Sequence, residues 1–302
     1  MSDRPTVLTT QRYQLGEGAR WVEDRLVFVD ILSGRLLEVG GDAPGDARQV
    51  TRLDVPLGAA APVAGAAGKW IVAAGTGIGL LHGDGTLEWL DRPEDSNPAP
   101  ARMNDGVCDP AGRFWAGSMA YDATPGAGSL YRADPDGTVR RLLDGITVPN
   151  GPAFDPDGDT LYYADSPTGV VYRCAIDPAS GDILAREPFV QLPAGEGTPD
   201  GMTVDAEHHL WVAVWDGGEV HRYAPDGSRR QVVALPTPRP TSVCLGGPAG
   251  GRLFVTTAWY GLDPAAAPAG AVLAVDVAAT APPAAAYRPA TAAAPAAGAG
   301  SS

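Results

Sequence analysis

The stretch "VPNGPAFDPDGDTLYYADS", residues 148–166, carries three signals in order: an Asn-Gly pair, an Asp/Pro/Gly turn and the short run "LYYADS". The turn residues supply the backbone angles of a tight hairpin. The run is short and rich in aromatic side chains, which reads as a strand. The same layout returns in "TPDGMTVDAEHHLWVAVW", residues 198–215, with Asp200 where Asn150 stood. Working outward, six runs share this shape: "LVFVDI" from Leu26, "WIVAAG" from Trp70, "FWAGSM" from Phe114, "LYYADS" from Leu161, "LWVAVW" from Leu210 and "LFVTTA" from Leu253. They stand 44, 44, 47, 49 and 43 residues apart.

Further turns, "DPDGT" (134–138), "DPASGD" (177–182) and "APDGS" (224–228), fall about midway between the runs, so each unit holds two hairpins. Four-stranded units repeating every 40 to 50 residues predict an all-β fold, a six-bladed β-propeller with four-stranded antiparallel blades. The runs are apolar almost throughout, as strands covered by a sheet on each face must be. Outside the six units, two strand candidates remain: "TVLTTQRY" (6–13) and "AVLAVDV" (271–277). Paired in one blade, they would close the ring. The expected organisation is one propeller domain over residues 1–277. Residues 278–302, Ala/Pro-rich and poor in large apolar groups, are expected to form a disordered tail.

Net charge is −14, with no run of Lys or Arg, which argues against nucleic acid and anionic membranes as partners. Cys108, Cys174 and Cys244 form no CxxC and read as buried thiols. The N-terminus has no apolar signal-type core and no stretch is long enough to span a bilayer, so the expected location is cytoplasmic. The four histidines lack HExxH spacing and read as residues in or near turns; a G-x-S-x-G elbow and a G-x-G-x-x-G loop are both missing. Trp115, Trp211 and Trp215 are expected between blades, and Trp259 and Tyr260 in a loop that could wall a pocket.

Counting back about ten residues from each run gives Glu17, Ala60, Asn104, Asn150, Asp200 and Val243, with Ser242 beside the last. In a propeller these positions lie on one ring about one axis. In four units a glycine follows closely, at Gly18, Gly106, Gly151 and Gly201, allowing close backbone approach and unusual torsions. Two carboxylates converging away from water would repel, and one would take up a proton unless a cation lay between them. Carboxylates with amide oxygens form a hard, all-oxygen set suited to Ca²⁺, Mg²⁺ or Mn²⁺.

With these residues in view, the chain resembles the SMP-30/gluconolactonase/regucalcin family from about residue 13 to 277. The resemblance rests on "LGEGARWVEDRLVFVDI", "RMNDGVCDPAGRFWAGSMA", "PNGPAFDPDGDTLYYADS", "TPDGMTVDAEHHLWVAVWDGGEVHRYAPDG" and "RPTSVCLGGPAGGRLFVTTA", in family order and register. It implies a six-bladed propeller with one divalent metal cation at a mouth of the channel, held by Glu17, Asn150 and Asp200, with Asn104 beside it. It also implies sugar contacts from Arg102 and from Asp122, a position where relatives often carry Glu. The implied reaction is hydrolysis of a sugar lactone such as gluconolactone, with Ca²⁺ placed first and Mg²⁺, Mn²⁺, Zn²⁺ and Fe²⁺ as alternatives.

On this reading the metal polarises the carbonyl, and Asp200 serves as the base because one of its oxygens stays free of the metal. The sequence departs from the family pattern in "MAYDATPGAGSLY" and in the Ala-rich second unit "GAAAPVAGAAGKW", which leaves the substrate open. Rival readings are a non-catalytic calcium-binding protein of regucalcin type and a related metal hydrolase acting on other lactones or organophosphates.

Overall fold

A computed structural model describes residues 4–40, 44–247, 250–263, 268–282 and 284–290. Six four-stranded antiparallel sheets stand around one axis. The strands nearest the axis are Gly16–Val22, Leu57–Pro62, Ala101–Cys108, Pro149–Phe154, Thr198–Val204 and Pro240–Gly246, one in each of blades 1 to 6. Each packs against its neighbour, and the sixth returns to the first. The six repeated runs are the second strands: Arg25–Asp30, Trp70–Ala74, Phe114–Ala120, Thr160–Asp165, Leu210–Trp215 and Arg252–Thr257.

Alternation of side chains along these strands explains why they are apolar on both faces. Leu161 and Tyr163 pack against Trp115, Leu130 and Ile146 of blade 3. Tyr162 and Ala164, pointing the other way, pack against Met202, Leu210 and Val212 of blade 5. Every adjacent pair of blades encloses such a layer, so the core is six sectors rather than one centre. Trp115 and Trp211 lie fully buried in these layers, and Trp215 is half-buried.

The ring closes as the terminal segments predicted. Thr6–Val7 is the outermost strand of blade 6 and pairs antiparallel with Leu273–Asp276, Thr6 opposite Ala274 and Val7 opposite Leu273. Pairing of the distant termini ties the two ends of the chain into one blade.

The expected disordered tail differs over its first part. Residues 278–282 and 284–290 run across one mouth of the channel, and their backbone groups bond to three blades. Thr280 O accepts from Ala206 N, Tyr287 N donates to Pro62 O, and Arg288 N donates to Gly112 O. Tyr287 is buried to 1 % exposure and its hydroxyl donates to Asp134 O at 2.7 Å. An Ala/Pro segment too poor in apolar groups to fold alone can dock on an existing surface through backbone bonds and one large ring. Residues 291–302 lie outside the described residues.

All three cysteines are buried and free, and no helix among the described residues is long and apolar enough to cross a membrane. His221 departs from the turn expectation: it sits buried in the strand Glu219–Tyr223, bonded to Tyr223 and Glu219.

Candidate metal centre

The predicted ring positions fall on the innermost strands, close to where each begins. All six of those strands carry an irregularity in register against their partner there: between Glu17 and Arg20, Leu57 and Ala59, Met103 and Gly106, Asn150 and Ala153, Pro199 and Met202, and Pro240 and Ser242. A bulge breaks the alternation of side chains and re-aims one of them. Two glycines show why the sequence needs them. Gly151 has φ +49°, and a Cβ there would lie 2.7 Å from Met202 N. A Cβ on Gly201 would lie 2.7 Å from the Ser242 Cα.

Glu17, Asn104, Asn150 and Asp200 are all buried. Burial pushes the Glu17 carboxyl well above its ordinary range, and the charges of Asp200 and Asp105 push it further. Asp200 moves the same way, through burial first and the charge of Asp105 second. Its Oδ1 has no hydrogen-bond partner although it is buried. Arg102, also buried, has its guanidinium pulled down by desolvation, while Tyr121, Glu17, Asp200 and Tyr260 favour its charged form. Arg102 acts on Glu17 and Asp200 and Arg20 on Asp105, two guanidiniums against three buried carboxyls, which leaves the acidic set short of positive charge.

The amides are held by a chain of bonds crossing three blades. Arg102 Nη1 donates to Asn104 Oδ1 at 2.7 Å. Asn104 Nδ2 donates to Asn150 Oδ1 at 2.6 Å and to Pro149 O at 3.0 Å. Asn150 Nδ2 donates to Ser166 Oγ at 2.9 Å, and Ser166 Oγ donates to Pro199 O, beside Asp200, at 2.6 Å. Asn150 Oδ1 keeps a second lone pair. The donor set is thus two carboxylates and an amide oxygen, with one buried carboxylate oxygen unpartnered. An oxygen-seeking divalent cation fits it on both charge and chemistry.

The structure brings Arg102, Asn104, Asn150, Glu17 and Asp200 to one place. Asp122 lies on an exposed loop beyond the second strand of blade 3, where its Oδ1 accepts from Thr124 N at 3.0 Å and Thr124 Oγ1 at 2.7 Å. Thr124 draws its carboxyl below the ordinary range. Sequence reading missed two residues of the centre. Asp105 accepts from Gly106 N and, across the blade boundary, from Gly151 N. Ser166 opens a short turn after a strand, and nothing local marks its tertiary partners.

The far half of the channel is a cavity of about 630 Å³, lined by residues following the candidates along the inner strands, Arg20, Asp105 and Met202 among them, and roofed by Ala284–Ala286. Two other groups could hold an ion. Asp155 and Asp157 of blade 4 face His208 of blade 5, and Asp205 and Glu207 lie with His209. In the second group Arg222 already pairs with both acids, at 2.6 Å from Asp205 and 2.7 Å from Glu207.

Comparison with known proteins identifies the family and the fold. Residues 15–259 match the model of the SMP-30/Gluconolactonase/LRE-like region. A pentonolactonase of Haloferax volcanii is 38% identical over 284 residues, covering 89% of this chain and 93% of that protein. Regucalcin of Gallus gallus is 35% identical over 262 residues, covering 84% and 86%. A crystal structure of the calcium-binding protein regucalcin from Agrobacterium tumefaciens superposes with a TM-score of 0.86 at 30% identity, covering 93% of this chain and 96% of that one. On the matched span and these identities, the chain belongs to the SMP-30/gluconolactonase/LRE-like family.

Proposed function

We propose that the protein is a metal-dependent lactonase acting on sugar lactones, with Glu17, Asn150 and Asp200 as ligands of one divalent cation, Ca²⁺ first among the candidates. The carrying observation is Asp200 Oδ1, a buried carboxylate oxygen without a protein partner beside a second buried, upshifted carboxylate. Such a pair is costly to bury alone and becomes favourable around a cation. When bound there, the cation supplies polarisation of the lactone carbonyl and offsets the charge developing on its oxygen.

The chain's own residues do the rest. One oxygen of Asp200 would hold the ion, leaving the other to accept the proton of the attacking water. The water oxygen bonds to the carbonyl carbon, the ring C–O bond breaks, and the leaving alkoxide takes back the proton held by Asp200, giving a hydroxy acid. Arg102 and Asn104, tied to each other at 2.7 Å, orient ring hydroxyls at the channel mouth, and Asp122 offers a carboxylate from the rim loop. The identity of the pentonolactonase relative supports the substrate class.

A second reading has an observation of its own: the Agrobacterium tumefaciens relative is a calcium-binding protein, and the same property here would give a protein whose role is to hold Ca²⁺. One assay separates the two. Metal-stripped protein is given each divalent ion in turn and screened with a pH indicator against pentono- and hexonolactones. Acid release on at least one lactone with at least one ion is expected. Metal binding without turnover of any lactone would favour the second reading, and turnover by fully stripped protein would reject the mechanism.

A further inference from the structure

We infer that Ser166 is a positioning residue that fixes which end of the Asn150 amide faces the channel axis. The inference rests on the reading of Asn150 as a metal ligand and adds how that ligand is made to present oxygen rather than nitrogen.

The argument comes from the polarity of the bond chain. A guanidinium can only donate, so the Asn104 end facing Arg102 must be Oδ1. The Asn104 amide nitrogen is then left to face Asn150, whose near atom must accept and is therefore Oδ1. At the other end Pro199 O can only accept, so the Ser166 hydroxyl spends its one proton there. Its oxygen can then only accept, and the Asn150 atom facing it must be the NH₂ group. Two terminal groups of fixed polarity, one in blade 3 and one in blade 5, thus impose the same orientation on the amide between them.

A flipped Asn150 would set its NH₂ against the Asn104 NH₂ and its oxygen against an acceptor, losing both bonds and turning a donor toward a cation. Ser166 is buried, so water does not readily replace it. Without its hydroxyl the Asn150 NH₂ loses its partner and Pro199 O loses its donor, and the restraint from the Asp200 side disappears. Partners that orient a metal ligand typically contribute about 10–100-fold to affinity.

The experiment is calorimetric titration of Ca²⁺ and Mn²⁺ into metal-stripped wild type, Ser166→Ala, Asn150→Asp, Asn150→Ala and the double variant Ser166→Ala/Asn150→Asp. Circular dichroism and thermal melts report folding. An aspartate has oxygen at both ends, so orientation ceases to matter in its background. The expected result is a loss of about 10-fold or more for Ser166→Ala in wild type, shrinking to under about 3-fold in the Asn150→Asp background.

Ser166→Ala binding like wild type while Asn150→Ala is weakened would overturn the inference and leave the ligand assignment intact. An equal loss in both backgrounds would reduce Ser166 to a general structural role. Wild-type affinity in Asn150→Ala, or no binding by wild type, would remove the ligand assignment itself and the inference with it. Should Ser166→Ala fail to fold, Ser166→Thr, which keeps the hydroxyl, is expected to bind within about 3-fold of wild type; a larger loss in folded Ser166→Thr counts against the role.

Discussion

Asp200, near the start of the inner strand of blade 5, and Asp205, just past its end, are both buried, and the protein treats them in opposite ways. Asp205 sits in the hairpin turn and accepts from Glu207 N, His209 N, Trp211 Nε1 and two nitrogens of Arg222. Burial pulls its carboxyl upward, yet those donors outweigh it and leave it below the ordinary range. Asp200 has no such donors on Oδ1 and lies well above that range. Blade 3 repeats the Asp205 solution: Asp109 accepts from Arg113 and from Trp115 Nε1. A carboxylate that serves the fold is supplied with its counter-charge by the chain. One left without it is where the proposed cation would supply the counter-charge.

The sharpest way to break this contrast is to truncate Asp200. Asp200→Ala removes a ligand oxygen and the proton acceptor together, and lactone turnover should fall by about 10³-fold or more with metal present. Near wild-type kcat/KM would end the assignment. Truncating Asp205 should do the reverse, sparing chemistry and harming the fold. Asp205→Ala leaves Arg222 and the Trp211 N–H without their buried partner, a loss of about 3 kcal/mol in urea unfolding. Activity per folded molecule should stay within about 3-fold of wild type, because Asp205 is at the far end of the strand from the ligand ring. Metal itself should sharpen the comparison: ion at 100 times its Kd stabilises the folded state by about 2.7 kcal/mol, an effect that Asp200→Ala should largely abolish and Asp205→Ala should leave in place. Equal responses in the two variants would show that the ion binds elsewhere, for instance at Asp155, Asp157 and His208.

How much of this was legible in the sequence follows from how local each signal is. The blades could be counted because every second strand is a short apolar run behind a turn, and the ring closure because only two strand candidates were left over. The candidate ring could be assembled because the repeat puts Glu17, Asn104, Asn150 and Asp200 in one phase. Ser166 and Asp105 were not found, since their roles depend on groups in the neighbouring blade, Pro199 O and Gly151 N. Composition hid the docking of residues 278–282 and 284–290 for a related reason. Ala and Pro build no core of their own, and the single informative residue, Tyr287, acts only once a surface exists to receive it.

The smallest expected effect tests the electrostatics directly, through pH. For Glu17 and Asp200 the folded pKa lies above the unfolded one, so the folded state binds more protons wherever the two differ. Unfolding free energy changes with pH in proportion to protons bound unfolded minus folded, which is negative here. Metal-free protein should therefore lose stability as pH rises from the ordinary carboxylate range toward neutrality. Asp205, with its folded pKa lowered, contributes the opposite slope, and only in more acidic solution: its stabilisation is present above the unfolded pKa and is lost as pH falls through the folded value. Saturating metal keeps the central carboxylates ionised in the folded state and should flatten the first slope. Asp200→Asn should flatten it too, raising the metal-free stability near pH 7 by about 1 kcal/mol, as happens where a functional site carries an uncompensated group. Urea midpoints between pH 5 and 8, with EDTA and with Ca²⁺, give all of these values. If metal-free wild type were no less stable at pH 7.5 than at pH 5.5, or Asp200→Asn brought no gain, the central carboxylates would have their counter-charge within the chain, and Asp200 would be no different from Asp205.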